Sequence, residues 1–173
     1  DFRSAPERLS DMKRFIFVGF AKSCYNMAKF DSDPERRMAV ILEQDPSVQL
    51  WMKPGPNQFR IYDEDNASYQ PDFVVETKTD KLIIETKRAS EMTNAQVVRK
   101  ADAAALWCHI ANRANGRNAG DKPWSYLLVP ETAVLPNATI SGLMATHTRS
   151  VDADLLSRYS LQDESQFSKS ETA

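Results

Sequence analysis

Between residues 48 and 87 the apolar positions come in short runs separated by breakers: VQLWM (48–52), FRIY (59–62), then 71–76 and 81–87 within YQPDFVVETKTDKLIIETK. Runs of this length, rich in Val, Ile and aromatic residues and bounded by KPGPN or TKTD, predict strands and hairpin turns. On either side the spacing is helical. Residues 11–30, DMKRFIFVGFAKSCYNMAKF, place Phe15, Val18, Ala21, Tyr25 and Ala28 on one stripe and predict a helix despite Gly19. The signal SDPE predicts a second helix to about Gln44, with Ser32 or Asp33 as cap and Pro34 in the first turn. Met38, Val40, Ile41 and Leu42 form its buried side.

Downstream, TNAQVVRKADAAALWCHIANRA (93–114) carries Val97, Ala101, Ala104, Trp107 and Cys108 at helical spacing. WSYLLVP (124–130) reads as a buried strand and TISGLMATHT (139–148) as a short helix. The order α-α-β-β-β-β-α-β-α predicts an α/β fold, a mixed central sheet flanked by helices. Residues 1–150 form the expected domain, and the polar, aperiodic end, 151–173, the expected tail.

The hairpin is where chemistry enters. With TKTD (77–80) as its turn, Glu76 faces Lys81, Val75 faces Leu82, Val74 faces Ile83, Phe73 faces Ile84, and Asp72 faces Glu85. The inner pairs are those that stabilise sheets, whereas the outer one sets two carboxylates at about 5 Å, where like charges repel. Alternation along the strand brings Lys87 out on the same face as Glu85. A divalent cation offsets such a cluster, and oxygen-only donors favour magnesium or manganese over zinc. A lysine salt-bridged to one acid at the mouth of a surface hairpin accounts for the same residues. Glu35 has two readings as well. It is the acidic member of a capping box with Ser32, or a third carboxylate reaching the same metal from a helix beside the sheet.

Pro71-Asp72, twelve residues, then Glu85-Thr86-Lys87, with helical Glu35 upstream, resembles the PD-(D/E)xK nuclease superfamily. More closely, KFDSDPERRMAVILEQD, VQLWMKPGPNQFRIY, the hairpin, KADAAALWCHIAN and WSYLLVP look like the C-terminal endonuclease domain of type III restriction enzymes (the Res subunit) and related DEAD/DEAH-box helicase-nucleases, over about residues 11–135. The resemblance implies a restriction-endonuclease-like fold and a Mg2+-dependent (or Mn2+-dependent) DNA endonuclease. Asp72 and Glu85 would bind the metal, Glu35 would assist as ligand or through water, and Lys87 would orient the attacking water. Gln96, Lys100 and Arg88 become candidate DNA or active-site contacts, with Arg99 and Arg36 as backbone contacts.

Composition limits the setting. A net charge of −2 is unusual for a domain that holds nucleic acid alone, so any such role rests on local patches or on partners. The resemblance supplies them: a helicase/ATPase motor region of the same longer polypeptide and a methyltransferase/specificity subunit. ATP would serve only that motor, since no GxxxxGK[ST] occurs here. The chain is then expected to be a fragment of a larger helicase-nuclease, cytoplasmic, with Cys24 and Cys108 as buried core thiols. Adjacent Cys108 and His109 point apart on a helix, which removes them as a nucleophile and base. Two other functions stay open: a nuclease-like domain that binds DNA or docks a helicase without cutting, and a phosphoesterase acting on RNA or a small nucleotide.

Overall fold

A computed structural model describes residues 1–63, 67–115 and 120–158. A 3-10 turn (Leu9–Arg14) precedes a small antiparallel ladder, β1 (Phe17–Val18) with β2 (Met27–Ala28). Then follow α1 (Asp33–Gln44), β3 (Val48–Met52), a second small ladder of β4 (Ile61–Tyr62) and β5 (Ser68–Tyr69), and the hairpin β6 (Phe73–Thr77) and β7 (Lys81–Lys87). α2 (Ala95–Asn115), β8 (Trp124–Pro130) and α3 (Ile140–His147) complete the described elements.

The main sheet runs β3-β6-β7-β8, antiparallel except for the β7/β8 pair, which is parallel because α2 carries the chain back across the sheet. β7 is buried along almost its whole length, as a central strand covered on both faces must be. On one face, Leu82 and Ile84 pack with Met38, Ile41 and Leu42 of α1 and Ile140 and Leu143 of α3. On the other, Ile83 packs with Tyr126, Leu128 and the small face of α2, Ala101, Ala104 and Cys108. The predicted mixed sheet flanked by helices is therefore the observed architecture, and the β6–β7 register matches residue for residue from Phe73–Ile84 to Glu76–Lys81.

The first predicted helix does not form. Residues 11–30 hold the 3-10 turn and the β1–β2 ladder, and Gly19, at φ +98°, takes a backbone conformation that a helix does not contain. The predicted stripe is on the wrong side. Phe15, Val18 and Tyr25 are exposed, while Met12, Phe17 and Phe30 are buried. Aromatic packing overrides the helical spacing here. Phe2 meets Phe20 at 4.7 Å, Phe20 meets Trp51 at 5.2 Å, and Trp51 meets Phe73 at 5.8 Å, a run of rings from the N-terminal segment to the strand beside Asp72.

Three further differences are local. FRIY does not continue the main sheet; only Ile61 and Tyr62 are strand, and they pair with β5, while β3 pairs directly with β6. Cys24 is exposed, and only Cys108 is a core thiol, its pKa pushed up to about 12 by burial. The expected tail begins inside a structured stretch, since residues 153–158 are helical and Leu155 is buried; 159–173 lie outside the described residues. Among the described residues no helix is long and apolar enough to cross a membrane.

Glu43 clasps the N-terminal segment to the sheet. Its carboxylate accepts from the Ala21 and Lys22 amides at 2.8 and 2.9 Å and from Trp51 Nε1 at 2.8 Å. Glu43→Ala leaves three donors without their acceptor and is expected to cost about 2–4 kcal/mol. Urea unfolding measures it; a midpoint equal to wild type would show that the clasp contributes nothing.

Candidate active site

The ladder stops at Phe73, so Asp72 does not stand opposite Glu85 as a further strand pair, contrary to the expected register. The chain bends there, and each acid reaches the backbone of the other strand. Asp72 N–H donates to Glu85 Oε2 at 3.1 Å. Asp72 Oδ2 accepts from Thr86 N at 2.8 Å and from Thr86 Oγ1 at 2.9 Å. This exchange lets the two carboxylates stay adjacent where a simple pairing would have driven them apart. Lys87, two residues along β7 on the same face, places Nζ 2.7 Å from Glu85 Oε1.

Glu35 arrives from the first turn of α1. Ser32 caps that helix, accepting from Glu35 N–H and donating its hydroxyl to Glu35 Oε1 at 2.9 Å, so the Ser32 half of the expected capping box is realised, while the carboxylate reaches back to the Asp31 amide. The other oxygen, Oε2, accepts from Asp31 N–H at 3.1 Å and from Lys53 Nζ at 2.7 Å.

Lys53 is the residue that the sequence reading missed. It follows β3, whose Met52 pairs with Val74, so its place in the register is beside Phe73 and next to Asp72. The signal was the lysine that begins the turn KPGPN, but it becomes visible only once β3 is known to pair with β6 rather than with FRIY. Three carboxylates, Glu35, Asp72 and Glu85, thus share two ammonium groups.

That balance marks the electrostatics. Burial, then the charges of Glu85 and Glu35, push the Asp72 carboxyl up to about 7, against the pull of Lys53 and the Thr86 N–H. Burial works against the charge of Lys87, yet Glu85 and Asp72 hold its ammonium above the ordinary lysine value. Lys53 is raised in the same way: burial opposes its charge, and Glu35 and Asp72 more than offset it. Tyr69 and Tyr126 close the α2 side, both phenols pushed upward by burial and by further negative charge nearby, Glu85 included.

Lys87, Thr86 and Glu35 open onto a cleft of about 520 Å³ that Arg88, Lys13 and Glu91 also line. Arg88 is exposed there. Gln96 is exposed at the start of α2, and Lys100 lays its ammonium over the Tyr69 ring at 5.6 Å; neither lines that cleft. Arg99 pairs with Asp63 at 3.5 Å. Arg36 is not a surface contact for DNA. It is buried, bonded to Asp33 and to the carbonyl oxygens of Phe2 and Arg3, because the first residues need a donor inside the fold.

Among the described residues, no three His, Cys, Asp or Glu side chains gather as a ready-made cation site. Asp72 and Glu85 are the two that could hold one. Their oxygen-only chemistry suits a hard divalent ion, and the burial and neighbouring carboxylates that raise Asp72 are what such an ion would offset. Magnesium is commonly held by one or two carboxylates, with water or substrate phosphate completing its sphere.

The raised Asp72 has a sign that can be measured. A carboxyl whose folded pKa lies above its unfolded value contributes stability below the unfolded pKa and loses it as pH rises through the folded one. In chelator, wild type should therefore lose on the order of 1–2 kcal/mol relative to Asp72→Asn between about pH 4 and pH 8. Urea melts across that range test it, and parallel pH profiles of the two proteins would remove the assignment.

No curated protein matches the chain. A family model described as an endonuclease domain matches residues 21–110, just over half of the chain, a span that includes Glu35, Lys53 and the whole hairpin from Asp72 to Lys87. The fold and that match together make this chain a member of the endonuclease-domain family.

Proposed function

We propose that the chain is the cutting domain of a divalent-cation-dependent DNA endonuclease, the catalytic part of a helicase-nuclease like the type III restriction enzymes. The observation that carries this reading is Lys87–Glu85–Asp72, two adjacent carboxylates held on the end of one hairpin and an ammonium that pairs with one of them and lines a cleft. A surface salt bridge alone has no need of the second acid, which repels the first.

In this reading Asp72 and Glu85 hold Mg2+, or Mn2+ in its place, and a cation so bound acts as a Lewis acid on a phosphoryl oxygen and lowers the pKa of bound water. The chain's own residues supply the rest. Thr86 fixes the Asp72 carboxylate through two hydrogen bonds, so the acid does not reorganise as charge develops. Lys87 leaves its pairing with Glu85 to orient water and stabilise the charge growing on phosphate. Arg88 contacts the nucleic-acid backbone at the cleft rim. Glu35 steadies the site through α1. The motor region of a longer polypeptide, driven by ATP, and a methyltransferase/specificity subunit bring and select the DNA in the cytoplasm.

One observation favours a second reading, a nuclease-like domain that docks a helicase or DNA without cutting. Both oxygens of Glu85 already have protein partners, Lys87 and the Asp72 amide, which a non-cutting domain could keep indefinitely.

Nicking of supercoiled plasmid by the purified domain separates the two. With Mg2+ or Mn2+ we expect nicking that chelator abolishes and that Lys87→Ala lowers by roughly 100-fold or more, with folding retained. Full activity in Lys87→Ala would remove the proposed role of that lysine. Cation binding that disappears in Asp72→Ala, without any nicking by wild type, would favour the docking domain or a site that needs its motor.

A further inference from the structure

Lys53 has no part in the chemistry just described, yet its surroundings are as built as those of Lys87. Nζ lies 2.7 Å from Glu35 Oε2 and 5.8 Å from the centre of the Phe73 ring, with the side chain only 18% exposed. Main-chain bonds hold the strand before it in place: Trp51 N–H donates to Lys22 O, and Cys24 N–H donates to Trp51 O. Its open side faces a second cleft, of about 380 Å³, that Tyr25, Lys29 and Gln58 also line. The lysine therefore stands between two clefts, with Glu35 on the side of the cleft that Lys87 enters.

An ammonium this enclosed would not stay charged without the acids, and the acids would repel one another without it. Lys87 neutralises Glu85 from one direction. Lys53 does so from the other for Glu35, and Asp72 lies within reach of its charge. A divalent cation on Asp72 and Glu85 would meet this second ammonium as a like charge.

We propose that Lys53 is a positioning residue of the same site, a resident counter-charge that keeps Glu35 and Asp72 together in the cation-free protein and thereby limits how tightly a divalent cation binds Asp72 and Glu85. The inference rests on the cation-dependent reading above, and it differs from a packing role in the direction of its effect. Loss of a merely structural lysine loosens the site and weakens binding. Loss of a counter-charge tightens it.

Calorimetric titration of the whole chain with Mn2+ and Mg2+ tests the difference. Lys53→Met keeps the apolar stem, and Lys53→Gln keeps a hydrogen bond to Glu35 should the first variant fold poorly. Either is expected to bind the cation roughly tenfold tighter than wild type, and to unfold at lower urea concentration in chelator. Lys53→Arg, which restores the charge, should return toward wild-type affinity, and Lys29→Met, on the same cleft, should not change it. Equal or weaker binding in both neutral variants, beside normal binding by wild type, overturns the inference and leaves the nuclease reading intact. Tighter binding in them without any plasmid nicking upholds the inference and counts against cutting. Absence of cation binding in wild type and every variant overturns both.

Discussion

Two carboxylates at the end of one hairpin can be kept together only if something other than water satisfies them, and here the backbone does it. Asp72 gives its amide to Glu85, and Glu85's neighbour Thr86 gives its amide to Asp72. Neither bond is available unless the ladder ends one residue early, at Phe73–Ile84, and unless β7 is held rigidly at the centre of the sheet. The two-sided core around Leu82, Ile83 and Ile84 thus serves the site directly, because burial on both faces fixes the strand that presents Glu85 and Lys87.

Support from outside the hairpin is ordered in the same way. α1 presents Glu35 only because Ser32 caps it, and β3 presents Lys53 only because it lies against β6. The run of rings from Phe2 to Phe73 and the Glu43 clasp tie the N-terminal segment to these elements. The low dielectric that makes the acids costly is what gives the lysines their leverage.

The hairpin was legible because its evidence is local. Strict alternation, a four-residue polar turn and matched apolar partners leave one register, and the structure has it from Phe73 to Glu76. The cap of α1 was legible for the same reason, since Ser32, Pro34 and Glu35 lie within one turn. What failed depends on distant partners. Residues 11–30 meet the helical spacing by coincidence, and partners outside the segment decide against it, the ring contacts to Trp51 and onward to Phe73 and the Glu43 carboxylate that takes the Ala21 and Lys22 amides. FRIY has strand composition, but which strand it joins depends on Tyr69 and Ser68 rather than on its own pattern. Lys53 and the bend at Asp72 became visible only with the β3–β6 pairing, a contact across more than twenty residues. Arg36 looked like a surface charge because nothing nearby in sequence accepts from it except Asp33.

Arg36 carries a consequence for where the polypeptide tolerates a cut. Its guanidinium, one residue from Glu35, is bonded to the carbonyl oxygens of Phe2 and Arg3, and the Phe2 ring is buried against Phe20. A protease that removed residues 1–3 would strip an enclosed cation of two acceptors and open a hole in the aromatic run. The first defect would fall on Arg36 of α1, the residue beside Glu35. Residues that a boundary-trimming exercise would discard as a lead-in are thus part of the scaffold that aims Glu35.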